Sequence, residues 1–299
     1  MPLNQTAPSQ RPPNTHIAHW FQKPTEGGAM VAVAPLSPDT DTVIYQDGRD
    51  ARTEQIALVT GAGSGIGLAL VEQLLQDDHC SAVYAGCRAP DNAPELLRLA
   101  DEDARLTVLV LDVTQAQSLE AAVEVMSASG RLDLVINTAG VLHQSNGMQP
   151  EKKLSDINFD DLLLAYDVNA LGAMRLAVAL EPLLKLSRTP RFASLSARVG
   201  SISDNQLGGW YGYRASKAAL NMLLRTLAIE WARVMPNMTC VALHPGTVKT
   251  DLSAPFTRNS QHTVFTPAVA AGQLLSVVDG LGPEQNGRFY AWDGQEIPW

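Results

Sequence analysis

Residues 56–75 read IALVTGAGSGIGLALVEQLL, and the pattern of this stretch changes halfway. The apolar run 56–60 is typical of a short buried strand, whereas apolar residues recur at helical spacing over 66–75. The glycines between the two segments indicate a turn. The stretch therefore predicts a strand, a glycine-rich turn and a helix.

The same alternation continues to the end of the chain. Further apolar runs lie at residues 82–85, 106–111, 132–136, 192–195, 238–243 and 289–292, and helix-like stretches lie at 118–126, 160–186, 215–231 and 268–278. Fully apolar strands that alternate with helices are buried on both faces, so the sheet is mostly parallel. We predict an α/β fold of the Rossmann type: a doubly wound, mostly parallel, seven-stranded sheet with helices on both faces, in a single domain over residues 55–299. Ligands of such sheets bind at the carboxyl ends of the strands.

The composition excludes several classes of protein. The 299 residues carry 22 Lys and Arg against 31 Asp and Glu, a net charge of −9, which argues against a nucleic-acid-binding protein. No stretch approaches the ~18–20 unbroken apolar residues of a membrane-spanning helix, so we expect no membrane partner. Three cysteines (Cys80, Cys87 and Cys240) are too few and too scattered for a disulfide framework or a structural zinc site. We therefore expect a cytoplasmic protein without a metal.

Residues 1–54 do not follow the alternating pattern. They contain seven prolines and no sustained periodicity, and proline removes a backbone donor and blocks helix continuation. We predict a proline-rich N-terminal extension that is disordered. The extension lacks the basic start and the long apolar stretch of a secretory signal. Arg11 alone gives little support to a mitochondrial transit peptide, so targeting to an organelle stays open.

Three glycines of the turn have the spacing Gly-x-x-x-Gly-x-Gly at positions 61, 65 and 67. Gly61 allows the tight turn, Gly65 lets the backbone approach a pyrophosphate, and Gly67 allows close packing of the helix. The helix N-terminus adds free N–H groups and a partial positive charge for the anion. The turn therefore predicts a dinucleotide site, with a purely structural turn as the alternative.

The end of the second strand indicates which dinucleotide binds. It reads Ala85-Gly86-Cys87-Arg88, without the carboxylate that would accept hydrogen bonds from the ribose 2′-hydroxyl of NAD. The forked guanidinium of Arg88 suits the 2′-phosphate of NADP instead. We predict NADP(H) rather than NAD as the cofactor, and the alternative for Arg88 is a solvated loop cation.

Tyr213 and Lys217 stand four residues apart at the start of a helix-like stretch, which places both side chains on one face of the helix. A free tyrosine has a pKa of ~10, so poising it near pH 7 needs ~4 kcal/mol of preferential phenolate stabilisation. The Lys217 ammonium and the charge of an oxidised nicotinamide would supply that shift. Tyr213 would then donate a proton to a carbonyl oxygen while hydride arrives from the cofactor. Tyr211 has no such partner, because Ala215 stands four positions after it.

Together, the glycine turn and the Tyr213–Lys217 pair resemble the short-chain dehydrogenase/reductase family over residues 55–299. Residues 198–202, 209–211 and 292–299 resemble the branch of the C-factor and the sniffer-type carbonyl reductases. The resemblance implies a set of cofactor contacts, which comprises Gly61, Ser64, Gly65, Ile66, Gly67, Asp112, Val113, Asn137, Ala139, Gly140, Tyr213, Lys217, Pro245, Gly246, Val248 and Thr250.

The resemblance also implies roles for single residues. Asp112 would contact the adenine, and Asn169 would be the catalytic asparagine that holds a water in the family's proton relay. Each residue has a structural alternative: Asp112 as a helix cap and Asn169 as a polar kink.

The chain departs from the family's pattern at the catalytic serine. Counted back from Gly200, the second of the two serines that end the fifth strand falls on Ala197, which leaves Ser196 as the first. This placement requires an insertion before Tyr213. We choose Ser196 to hydrogen-bond the substrate oxygen, with Ser201 and Ser203 behind it. Strand alternation leaves the direction of the Ser196 side chain open.

The combined pattern predicts an NADPH-dependent oxidoreductase that reduces an aldehyde or ketone to an alcohol, or runs the reverse reaction, with Tyr213 as proton donor. The alternative is a catalytically weak dinucleotide-binding sensor or interaction protein, motivated by Ala197 and the N-terminal extension. Phe256 and Phe265 are candidate apolar walls for a small-molecule carbonyl or alcohol substrate. The stretches 160–186 and 215–231 are where relatives pair, which implies a homodimer or homotetramer.

Overall fold

Strands and helices alternate along the chain in the computed structural model, which describes residues 54–145, 147–257 and 263–299. The predicted disordered extension, apart from Glu54, lies outside the described residues. The described residues all belong to one compact unit.

Seven strands form one sheet in the order β3-β2-β1-β4-β5-β6-β9, and every neighbouring pair is parallel. They are β1 (Gln55–Thr60), β2 (Cys80–Cys87), β3 (Leu106–Val110), β4 (Leu134–Asn137), β5 (Arg191–Leu195), β6 (Thr239–His244) and β9 (Phe289–Ala291). β7 (Thr247–Val248) and β8 (Val264–Phe265) form a separate parallel pair. The strand order reverses between β1 and β4, where ligands of doubly wound sheets bind. The predicted Rossmann-type sheet is confirmed.

The helices of the described ranges lie between these strands. They are α1 (Gly65–Gln76), α2 (Pro94–Glu102), α3 (Ala116–Ser127), α4 (Phe159–Tyr166), α5 (Gly172–Leu184), α6 (Tyr211–Val234), α7 (Ala254–Thr257) and α8 (Pro267–Asp279).

The sheet is buried between two layers of helices. Leu58 of β1 joins the hydrophobic cluster of α3, α5 and α6, whereas its neighbour Val59 joins the cluster of α1, α2 and α8. Successive side chains of a strand point to opposite faces, so both faces of the sheet are covered. This two-sided burial explains why the strands read as continuous apolar runs.

Two helices differ from the sequence prediction. The stretch predicted as one helix over 160–186 is α4 and α5 joined by a π-helical turn, Asp167–Leu171. The stretch predicted over 215–231 begins earlier, so that Tyr213 lies in the first turn of α6.

The helical run Phe159–Leu184 is 26 residues long and reaches a mean hydropathy of 1.4, which is long and apolar enough to cross a membrane by those two measures. Its side chains Leu176 and Leu180 are fully buried in the hydrophobic cluster beneath the sheet. Packing in the core accounts for the apolar side chains on the buried face of this run.

Candidate active site

The glycine turn between β1 and α1 is shaped by contacts that only glycine allows. A Cβ at Gly67 would lie 2.2 Å from the Gly61 carbonyl oxygen, and a Cβ at Gly61 would lie 2.6 Å from Thr138 Oγ1. The side chain of the N-cap residue Ser64 forms no capping hydrogen bond with the backbone N–H groups of α1, and the first turn of α1 contains no acidic residue. The first N–H groups of α1 are therefore available to an anion, so the turn fits the phosphates of a dinucleotide.

Arg88 lies exposed directly after β2, where the sequence predicts the 2′-phosphate. Its guanidinium forms no ion pair with any residue that the structure describes. Arg88 therefore has its donors available for a ligand.

Asp112 lies between β3 and α3, and one of its carboxylate oxygens is held by the turn itself. Oδ1 accepts hydrogen bonds from the Thr114 backbone N–H at 2.9 Å and from Thr114 Oγ1 at 2.7 Å. Val113 is buried, and a Cβ at Gly172 would come within 2.6 Å of Val113 Cγ2. Local structure therefore orients both residues at the edge where the adenine is predicted.

Asn137 ties together the ends of the three central strands. Its Oδ1 accepts from Thr60 Oγ1 at 2.6 Å and from the Ala139 backbone N–H at 3.2 Å, and its Nδ2 donates to Ser194 Oγ at 2.9 Å. The side chain is 2% exposed. The Asn137 side chain thus holds the carboxyl edge in shape, and the half-buried Ala139 and the exposed Gly140 follow it in the chain.

Tyr213 and Lys217 lie one turn apart on α6, with Lys217 Nζ 5.8 Å from the centroid of the Tyr213 ring. Nζ donates to the Leu195 carbonyl oxygen at 2.7 Å. A Cβ at Gly140 would lie 3.6 Å from Nζ and 3.3 Å from Asn169 Oδ1. The structure therefore brings together the pair from α6, the ends of β4 and β5, and the π-turn.

Burial governs the protonation of this pair. It raises the pKa of Tyr213 to about 12 and lowers the pKa of Lys217 to about 8, because both charged forms are removed from water. The sequence predicts that the Lys217 ammonium and the charge of an oxidised nicotinamide lower the pKa of Tyr213, but it does not show the desolvation that raises this pKa. A phenol of raised pKa keeps its proton at neutral pH, which suits a proton donor.

The Asn169 side chain is 1% exposed, and both its oxygen and its nitrogen form hydrogen bonds within the protein. Its Oδ1 accepts from the Val141 backbone N–H at 2.7 Å, while Nδ2 donates to the Val141 carbonyl oxygen at 2.9 Å and to Ser216 Oγ at 3.0 Å. The π-turn therefore locks the segment after β4 onto α6. π-Turns inside helices are frequent at functional sites.

The serines predicted for the substrate oxygen are hydrogen-bonded within the protein. Ser196 Oγ donates to Asn221 Oδ1 of α6 at 2.6 Å, and the residue is 3% exposed. Ser203 Oγ donates to the Trp299 carbonyl oxygen at 2.8 Å, and Ser201 is 1% exposed. Because a hydroxyl has a single proton to donate, the structure uses Ser196 to join β5 to α6 and leaves Ala197 at the half-buried position after it.

The segment that carries Pro245, Gly246, Val248 and Thr250 runs toward the glycine turn. A Cβ at Gly65 would lie 3.1 Å from Thr250 Cγ2, so Thr250 is next to the start of α1. Val248 is buried in β7. The segment predicted to hold the nicotinamide thus lies beside the turn predicted to hold the pyrophosphate.

The two phenylalanines predicted as apolar walls lie in different places. Phe265 packs against Trp292 at a ring-centroid distance of 4.7 Å, and both rings cover Gly246. Phe256 packs against Trp210 at 5.0 Å, and Trp210 in turn contacts the Tyr213 ring. Phe256 is therefore the wall on the side of the proton donor.

Glu151 is a site residue that the sequence does not predict. Its side chain is 7% exposed, and its two carboxylate oxygens both lie 3.2 Å from the Gly212 backbone N–H in the first turn of α6. An anionic group at a helix N-terminus satisfies free N–H groups and complements the helix dipole. The two residues are 61 positions apart, so no local pattern links them.

His244, at the end of β6, is a further titratable residue near the carboxyl edge of the sheet. Burial lowers its pKa to about 4, and its buried Nδ1 has no hydrogen-bond partner among the residues that the structure describes. The imidazole is therefore neutral at pH 7 and has no proton to release in that range.

Comparison with known proteins gives the family. The family model described as short chain dehydrogenase matches residues 55–261. The C-signal of Myxococcus xanthus is 38% identical over 172 residues, which cover 57% of this chain and 95% of that protein.

Two solved structures share the fold over nearly the whole described chain. The NADPH-bound carbonyl reductase from chicken fatty liver has a TM-score of 0.74 and 31% identity and covers 83% of this chain and 100% of its own. The carbonyl reductase Sniffer of D. melanogaster has a TM-score of 0.73 and 28% identity, with coverage of 83% and 100%. The predicted resemblance, including the C-factor and sniffer branch, is confirmed. The chain belongs to the short-chain dehydrogenase/reductase family of oxidoreductases.

Proposed function

We propose that this oxidoreductase reduces an aldehyde or ketone to an alcohol with NADPH, and that Tyr213 is the proton donor. The observation that carries the proposal is the pair on α6, with the Nζ atom of the buried Lys217 5.8 Å from the centroid of the Tyr213 ring at the carboxyl edge of the sheet. The NADPH-bound carbonyl reductase from chicken liver, which shares the fold, supports the same chemistry for this chain.

The residues around the pair fit a dinucleotide at one end of the site. The N-terminus of α1 would hold the pyrophosphate, Arg88 would pair with the 2′-phosphate, and residues 245–250 would hold the nicotinamide. Bound NADPH supplies a hydride to the carbonyl carbon.

Tyr213 supplies the proton that the substrate oxygen gains. Its raised pKa keeps the hydroxyl protonated at neutral pH, and the Lys217 ammonium stabilises the phenolate that remains after transfer. Asn169 positions both by joining the segment after β4 to Ser216 on α6. Asp112 and Asn137 order the strand ends against which the cofactor lies.

The test is a panel of aldehydes and ketones with NADPH, followed by the loss of absorbance of the reduced nicotinamide. Tyr213→Phe removes only the hydroxyl, and we expect it to lower kcat by about 10²–10⁴-fold, the usual contribution of a general acid. Tyr211→Phe is the matched control, because Tyr211 is two positions away on the same helix and 40% exposed. Equal activity of Tyr213→Phe and Tyr211→Phe would remove Tyr213 from the mechanism.

A second candidate function is a dinucleotide sensor that binds without efficient turnover. It is favoured by Ala197 and by the engagement of Ser196 with Asn221, which leave the substrate oxygen without a serine donor from β5. One donor to a developing oxyanion is worth about 10²–10³-fold in rate. Under this alternative, the natural chain binds NADPH tightly but oxidises none across the panel, and Ala197→Ser gains measurable reduction.

A further inference from the structure

Trp210, the residue before α6, has an unusual backbone conformation. It is the one non-glycine residue of the described ranges with positive φ, at φ 53° and ψ 44°. This left-handed region disfavours residues with a Cβ, and for bulky side chains it is a genuine outlier. Gly208 and Gly209 precede it with φ 65° and 64°. Glycine at position 210 would adopt the same conformation without strain.

The surroundings impose this conformation on Trp210. Its backbone N–H donates to the Glu151 carbonyl oxygen at 2.5 Å, and its carbonyl oxygen accepts from the Arg214 N–H at 2.8 Å. Arg214 Nε donates to the carbonyl oxygens of Gly208 at 3.2 Å and Gly209 at 3.0 Å. Strain that is held by several contacts occurs chiefly at functional sites, so the indole itself requires an explanation.

The indole lies beside the proton donor in a row of rings. Trp210 contacts the Tyr213 ring edge-on at 6.2 Å and the Phe256 ring at 5.0 Å, and Phe256 contacts the His143 ring at 5.9 Å. His143 Nε2 lies 3.2 Å from the Asp251 carbonyl oxygen, which ties the row to the segment before α7. Trp210, Phe256 and His143 are half-buried, so each residue keeps part of its surface accessible.

We propose that Trp210, Phe256 and His143 form an aromatic wall that selects carbonyl compounds with a flat aromatic or conjugated group on the C=O. The proposal rests on the reductase function and names its substrate class. Aromatic rings make favourable edge-to-face or offset contacts with other aromatic rings. Saturated rings bury apolar area as well, but they do not make these additional contacts. In this proposal a ring held against Trp210 lies next to Tyr213, because the rings of Trp210 and Tyr213 are in contact at 6.2 Å.

The kinetic test compares benzaldehyde with cyclohexanecarbaldehyde, which has a saturated ring of the same size. The ratio of their kcat/KM values in each variant, divided by the ratio in the natural protein, cancels their different intrinsic reactivity. We expect Trp210→Gly, which removes the ring and the strain together, to lower this ratio by about three- to tenfold. Trp210→Phe keeps a ring and should stay within about twofold. Phe256→Leu, on another element, should act in the direction of Trp210→Gly.

A binding measurement separates this proposal from the reductase function. Benzamide and cyclohexanecarboxamide carry the same two rings on a carbonyl that is not reduced, and their Kd values are measured by calorimetry with NADP⁺ present. A preference for benzamide that is lost in Trp210→Gly supports the wall even if no aldehyde is reduced. The aromatic wall is contradicted if the ratio of the Kd values of benzamide and cyclohexanecarboxamide is unchanged in both Trp210→Gly and Phe256→Leu. If aldehydes are still reduced in that case, the reductase function is not affected. If the kinetic and the binding measurements disagree, the ratio of the two amide Kd values decides whether the aromatic wall exists.

Discussion

Tyr213 and Lys217 respond to the same burial in opposite directions. The pKa of Tyr213 rises to about 12 and that of Lys217 falls to about 8, since removal from water disfavours the anion of one and the cation of the other. At neutral pH the phenol is protonated and the ammonium is charged. As the pH rises above neutral, Lys217 therefore loses its proton before Tyr213 does.

This difference predicts the pH dependence of carbonyl reduction. We expect kcat/KM to be constant near neutral pH and to fall as the pH rises through about 8, because Lys217 then loses the charge that stabilises the phenolate. Steady-state rates at saturating NADPH across a buffer series measure the profile. In Lys217→Arg the charge persists beyond pH ~12, so the fall should move to higher pH. An unchanged fall in that variant would assign the transition to another group.

Arg88 predicts the choice between the two dinucleotides. It is exposed at the end of β2 with its donors available, and a charge-assisted hydrogen bond contributes ~1.5–3 kcal/mol. We expect Arg88→Ala to weaken NADPH binding by about 10- to 100-fold and to leave NADH binding within about twofold. Titration of nucleotide fluorescence gives both Kd values.

Arg98→Ala is the matched control for this prediction, because Arg98 is half-exposed on α2 and pairs with Glu95 and Glu102. It should change neither Kd. Equal weakening of NADPH binding and NADH binding in Arg88→Ala would show that the 2′-phosphate does not bind to Arg88.

Among the elements, α6 carries Tyr213 and Lys217, and its N-terminus is held by a residue from the loop after β4. The buried Glu151 carboxylate lies 3.2 Å from the Gly212 N–H, one position before Tyr213. We expect Glu151→Ala to lower the free energy of unfolding by about 1–2 kcal/mol, as loss of a helix cap does. Glu151→Gln keeps an acceptor oxygen and should lose less. Urea denaturation measures both.

The same variant predicts an effect on catalysis through the position of Tyr213. We expect kcat to fall in Glu151→Ala more than KM rises, because the carboxylate orders the first turn of α6 rather than binding the substrate. Glu124→Ala, an exposed glutamate of α3, is the control for an unspecific loss of charge. Unchanged stability and kcat in Glu151→Ala would show that the cap contributes nothing.

The strands were predictable because burial on both faces leaves a plain apolar run. The joint between α4 and α5 was not, since periodicity places residues on a helix face but does not show that the turn Asp167–Leu171 is π-helical. The start of α6 was missed for a related reason. Helical spacing does not reveal that Trp210 is left-handed and that the helix begins directly after it.

The strand-end residues of the site were predictable because parallel strands bring their carboxyl ends to one edge. The role of Ser196 was not, because its hydroxyl partner Asn221 lies 25 positions later on α6 and no spacing rule connects them. The effect of burial on the pKa of Tyr213 was not predictable for a similar reason: a sequence shows which charges are near in the chain but not how much water a side chain loses.

On the molecule as a whole, seven of the nineteen large apolar side chains that are exposed among the described residues lie on α4, α5 and α6, the layer predicted to pair with another copy. The largest exposed fractions there are 75% for Phe159, 72% for Val178, 66% for Met222 and 65% for Leu163. α4 packs against α6, so Leu163 and Met222 belong to neighbouring helices. Contiguous apolar patches on a protein surface mark interaction sites.

We propose that two copies associate through this layer, so that the natural protein sediments at twice its 32.1 kDa or a multiple of that. Leu163→Glu combined with Met222→Glu places two carboxylates where apolar contacts would form, and burying an unpaired charge is strongly unfavourable. We therefore expect the double variant to sediment as a single 32.1 kDa chain in analytical ultracentrifugation.

The matched control is Val269→Glu, since Val269 is 48% exposed on α8 in the opposite helix layer and should leave the sedimenting mass unchanged. A natural protein that sediments at 32.1 kDa at micromolar concentration contradicts the association. A double variant that keeps the oligomeric mass contradicts the surface. Because Tyr213 lies on α6 as well, the activity of the separated chain then decides whether pairing supports the catalytic helix or only adds stability to the fold.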